Sequence, residues 1–97
     1  MNKNMLSQIP INLDKIKKGD LDKEIVRVGM IAELDAVSLY EQLAVMTENE
    51  VIKKVLLDIA KEEKTHMGEF QTLLLKEDSE QVKELEEGRK EVEELLE

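Results

Sequence analysis

The chain has 97 residues, of which 38% are charged, 41% apolar and 2% aromatic, with 23 acidic side chains against 14 basic ones. That length limits it to one small domain that buries a modest share of its own surface, so association is expected, and the scarcity of aromatics points to packed helices rather than a β-sandwich or barrel. The acidic balance repels phosphate and anionic lipid, which argues against nucleic acid and membrane partners and favours cations, while the absence of cysteine rules out disulfides, zinc–thiolate sites and iron–sulfur clusters.

Residues 1–19 hold the only proline, Pro10, and no sustained periodicity, so they are expected to form a flexible arm ahead of a helical domain over residues 20–97. They also lack the apolar core of a signal peptide, and no later run approaches the roughly 20 apolar residues of a membrane span, so a cytoplasmic location is expected. Gly19 and Asp20 form a turn and an N-cap, and helical spacing of apolar residues then runs from Leu21 to about Met46. Thr47-Glu48-Asn49-Glu50 fits a capping box, with Thr47 capping and Glu50 reaching back, so a second helix follows after a very short turn and continues to about Leu75. Asp78 or Ser79, with Gln81 behind it, starts a third helix whose apolar residues are sparse: Val82, Leu85, Val92, Leu95 and Leu96. Such a helix is expected to dock on another chain. Its pattern runs unfinished to Glu97, as expected of one segment of a longer polypeptide.

Two acidic residues break the pattern. At ~100° per residue, Lys23, Glu24, Arg27, Asp35, Ser38, Glu41 and Gln42 share one polar arc of the first helix, whereas Glu33 falls roughly 130° away beside Val26, Gly29, Val37, Tyr40 and Ala44. On the second helix Leu56, Ile59, Ala60, Met67, Phe70 and Leu74 define the buried stripe; Glu63 lies near its centre and His66 on its flank. Neither stripe offers a lysine or an arginine. An ionised carboxylate in apolar surroundings needs a counter-charge or must neutralise itself. Glu33 and Glu63 each lie about 15 residues from the turn near Glu48, so an antiparallel hairpin brings them to one height with His66 beside them. Two carboxylates and an imidazole suit a first-row metal such as iron or manganese. Glu62 and Glu69 are expected to face solvent, Met30, Met46 and Met67 to fill the core, and Tyr40 to be either a core residue or a hydrogen-bond donor close behind the site.

Ferritin-like di-iron bundles take a Glu from each of two helices and Glu-x-x-His from each of the other two. This chain carries one of each, in Glu33 and in Glu63-x-x-His66, so a two-fold dimer would supply a four-helix bundle and six ligands. IAELDAVSLYEQLA followed by LLDIAKEEKTHMGEFQTLL resembles the encapsulated ferritins, the ferritin-like cargo of encapsulin nanocompartments, over roughly residues 20–97. The resemblance implies an all-α protomer, an antiparallel two-helix hairpin plus a C-terminal helix, dimerising into a ferritin-like four-helix bundle and assembling as a ring of five dimers. It implies a ferroxidase that oxidises Fe(II) with oxygen for iron storage and detoxification. The di-iron centre would take Glu33, Glu63 and His66 from two subunits, with Tyr40 nearby. It further implies a place inside an encapsulin shell, fused or docked. Ala32 stands where the family has a second acid close to Asp35. Rival readings are a rubrerythrin-type di-iron peroxidase, a structural zinc or manganese site, and a metal-free helical assembly module with protonated glutamates.

Overall fold

The computed structural model describes residues 13–97, so most of the expected arm, with Pro10, lies outside the described residues. Within them all regular structure is helical. Two short 3₁₀ turns, Leu13–Lys15 and Lys18–Asp20, lead into α1 (Leu21–Met46), α2 (Glu50–Glu77) and α3 (Ser79–Leu96). Helices α1 and α2 pack against each other as an antiparallel hairpin, and α3 makes a small contact with α2. The radius of gyration is 16.7 Å, well above the about 12 Å of a compact unit of this length, because α3 projects away from the hairpin.

The helix ends follow the expected boundaries with two changes of capping residue. Asp20 stands at the N-cap of α1 but its side chain caps nothing; the 3₁₀ turn holds its backbone near the helical region, at φ −106° and ψ −1°, with its N–H donated to the Lys17 carbonyl at 2.9 Å. The capping box expected from Thr47 and Glu50 does not form. Asn49 caps α2 instead, its side-chain oxygen accepting from the N–H groups of Val51 at 2.9 Å and Ile52 at 3.1 Å, while the Thr47 hydroxyl accepts from Asn49 N–H at 3.1 Å. The helix starts at Glu50, later than the box requires, so an Asx cap wins over the threonine.

The core is small: Val26, Val37 and Ala44 from α1 meet Ala60 and Leu74 from α2. Phe70, half-buried, lies against the bare backbone of Gly29, where a Cβ would come within 2.7 Å of the ring. Met30 and Met67 are half-buried as expected, but Met46 is not core; it stands 74% exposed beside Val45 at the hairpin's tip. Ala44, two residues earlier, is still buried, and the roughly 200° between them turns Met46 to the opposite side of the helix, in line with Gln42.

One carboxylate joins α3 to the hairpin. Asp78, in extended backbone between α2 and α3, accepts the Gln81 N–H on Oδ1 at 3.0 Å and the Arg27 guanidinium on Oδ2 at 2.9 Å; Arg27 also reaches Glu24 at 2.6 Å. The Gln81 N–H, with Lys23 and Arg27 nearby, holds the Asp78 carboxyl below its ordinary pKa despite partial loss of water. A carboxyl whose folded pKa is depressed adds stability above the unfolded value, near 3.9, and loses it as pH falls through the lower folded value. Mild acid should therefore leave α3 in place, and its helical circular dichroism should fall only below the ordinary carboxylate range. Asp78→Ala should lower the helical signal at neutral pH, whereas Asp78→Ser, which keeps a capping oxygen, should retain most of it.

Candidate metal centre

Helical spacing alone sets the site's composition. Glu33 lies one turn after Gly29 and one turn before Val37 on the buried side of α1, and Glu63 lies one turn after Ile59 and one turn before Met67 on α2. The Asn49-capped turn is short, so the two helices run past each other in a register that places Glu33 opposite Glu63 and His66. His66 Nδ1 stands 3.6 Å from Glu33 Oε2 and 3.5 Å from Glu63 Oε2. One ligand atom from each of the three residues falls within a set whose members all lie within 4.8 Å of one another, and it is the one such group of His, Cys, Asp and Glu among the described residues.

The electrostatics are unbalanced. Both glutamate side chains retain 19% of their exposure, and Glu33 Oε2 is buried without a hydrogen-bond donor. Such a lone acceptor costs free energy on the order of 1–3 kcal/mol, more when charged. No lysine or arginine is paired with either carboxylate among the described residues. Lys64, adjacent in sequence to Glu63, turns to the opposite flank of α2 from His66 and pairs with Glu41 at 3.2 Å. A cation held between the two carboxylates and the imidazole would satisfy Glu33 Oε2, and hard oxygen donors with one nitrogen fit iron or manganese. The residues present therefore fit such an ion.

The site opens to one side. The Lys64–Glu41 pair closes one edge of the seam. On the other edge His66 keeps 45% of its side-chain exposure, with Val55 and Leu73 exposed on the same flank of α2 and Ile25 of α1 lining a groove with Leu73. The open edge of the triad is thus an apolar face without a cover in the protomer.

The sequence expectation for Glu33, Glu63 and His66 and the observed cluster coincide in position. Tyr40 lies two turns along α1 from Glu33, half-buried, without a hydrogen bond to the triad among the described residues. Glu62 and Glu69 are exposed. What sequence reading missed is the layer beneath the triad, the seating of Phe70 on Gly29; the signal was a glycine in the buried stripe of a helix otherwise free of glycine.

Residues 24–97 match the sequence model of the rubrerythrin family. A protein of Pyrococcus furiosus described as a ferritin-like–encapsulin shell fusion protein is 54% identical over 93 residues, which is 94% of this chain; the chain spans 27% of that relative's length. The crystal structure of an encapsulated ferritin domain from Pyrococcus furiosus superposes with a TM-score of 0.79 at 51% identity, covering 93% of this chain and 92% of that one.

Proposed function

The chain belongs to the rubrerythrin family and, within it, to the encapsulated ferritins, and from that premise we propose that it is a ferroxidase, oxidising Fe(II) to Fe(III) at a di-iron site formed between two copies. One observation carries the reading: Glu33, Glu63 and His66 converge within 4.8 Å with Glu33 Oε2 buried and lacking a donor. Three ligands are half of a ferritin-like set. A second hairpin applied by a two-fold axis to the apolar edge beside His66 supplies the other half and covers Ile25, Val55 and Leu73 in the same step.

Iron is the substrate, and when bound it supplies the one-electron redox change, with oxygen as the acceptor. The protein's residues do the rest. Glu33 and Glu63 offer carboxylate oxygens that hold either charge state of iron, and His66 provides a neutral nitrogen that limits how far the ion can shift. The apolar seam of Val37, Ala60 and Phe70 excludes water around the carboxylates and strengthens their hold. A formal net charge of −9 gathers cations toward the protein. The shell fusion of the Pyrococcus furiosus relative supports a place inside an encapsulin compartment, where the shell would retain the oxidised iron.

The family match favours one second reading, a di-iron peroxidase of rubrerythrin type. Comparing Fe(II) oxidation driven by oxygen with that driven by peroxide separates the two, since a peroxidase turns over faster with peroxide.

Glu33→Ala, Glu63→Ala and His66→Ala should each remove most oxygen-dependent Fe(II) oxidation, about 100-fold or more against wild type, as loss of a metal's ligand exceeds the 10–100-fold typical of its supporting partners. Glu62→Ala, on the exposed side one residue away, should retain it. Circular dichroism on the same samples checks that the helices persist. A Glu63→Ala/His66→Ala protein that oxidises Fe(II) well above buffer background contradicts the assignment.

Binding shared by two copies also links metal to assembly by mass action. Sedimentation velocity at a concentration that dissociates the metal-free protein should show a shift toward dimer on adding Fe(II) without oxygen. Lowering the pH should reverse it, because protons compete for the carboxylates and imidazole. Identical distributions with and without Fe(II) would remove the metal from the interface.

A further inference from the structure

Gly29 and Phe70 form the layer next to the triad. Gly29 lies one helical turn before Glu33 on α1, and Phe70, the only phenylalanine in the chain, lies one turn after His66 on α2. A Cβ built on Gly29 would stand 2.7 Å from Phe70 Cδ1 and Cε1 and 2.8 Å from Cζ. Ordinary carbon contacts lie near 3.5–4.0 Å, so the ring occupies the space a side chain at residue 29 would need. The backbone there is ordinary helix, without positive φ. Glycine is therefore required for room and not for its conformational freedom. It is unfavourable inside a helix, and α1 carries no other.

Resting on the metal-site reading above, we infer that Gly29 and Phe70 are positioning residues for the metal centre: the ring seated on bare backbone sets the separation across which Glu33 and Glu63 share one ion. The reason is one of tolerance. Ligand groups must be held to within about 0.5 Å of their productive positions, whereas a methyl at residue 29 demands roughly 1 Å of movement to reach normal contact. The helices can part, or the ring can swing along α2 toward the flank that carries His66. Either response disturbs the triad. By contrast a Cβ at Gly68, only two residues from His66, meets nothing within 4 Å.

Cobalt(II), followed by its visible absorption on the full chain, is a probe of the site that needs no turnover. Wild type should bind it, and Gly29→Ala should bind about tenfold more weakly, the scale of a lost supporting contact. Phe70→Leu alone should also weaken binding, because the spacer is thinned, while Gly29→Ala/Phe70→Leu should recover most of the affinity. Gly68→Ala should match wild type. Circular dichroism shows whether each variant is folded; if Gly29→Ala is not, Phe70→Leu carries the test. Wild-type affinity in Gly29→Ala or in Phe70→Leu, or a double variant no better than the weaker single one, overturns the inference while the metal site stands. A wild-type protein that takes up no cobalt overturns the metal reading itself, and the inference with it.

Discussion

Everything distinctive about this hairpin follows from two carboxylates placed in an apolar seam with no lysine or arginine paired to them among the described residues. Helices exclude charge from their packing faces because desolvating an ion is costly, and the chain obeys that rule at its other charged positions in the hairpin, sending Lys64 to Glu41 across one edge and Arg27 to Asp78 at one end. The seam holds Glu33 and Glu63 all the same, and beside them an imidazole that bears no obligatory charge. A cation would resolve the imbalance with no change in the backbone.

The same hairpin is too thin to stand as a complete core. Its fully buried residues are of small or medium size, and Ile25, Leu34, Val55, Leu57 and Leu73 remain near half exposed or more along its sides. Two helices bury one face each; a four-helix bundle buries two. The site and the uncovered surface overlap in part, since the edge on which His66 opens carries Ile25, Val55 and Leu73, while Leu34 and Leu57 lie along the Lys64–Glu41 edge. The outward strip of α3 is a separate matter. Val92, Leu95 and Leu96 are exposed at 57%, 85% and 80% and form an apolar strip outside the seam of the hairpin.

Much of this was legible in the sequence. The limits of α1 were readable because apolar spacing persists from Leu21 to Met46 without a breaker, and the height match of Glu33 and Glu63 followed from counting outward from a short turn. Local chemistry was read less well. Thr47 and Asn49 are both good caps two residues apart, and only the backbone decides which carbonyl begins the helix. Met46 is apolar, but it stands roughly 200° around α1 from Ala44 and one turn after Gln42, so its angle and not its character set its exposure. Gly29 carried a visible anomaly, a glycine in a packing stripe, yet its meaning depends on which residue lies opposite, and that is a property of two helices together.

The Arg27–Asp78 clasp spans 51 residues of chain, while every contact within α3 is local. Local helix forms without closing a loop, whereas a bond across that separation must wait for the chain between its ends to be ordered. Helix α3 can thus exist before the hairpin does, but its bearing on the rest of the molecule comes into being only once α1 and α2 have met. The direction in which its apolar strip faces is therefore a property of the folded hairpin and not of α3 alone.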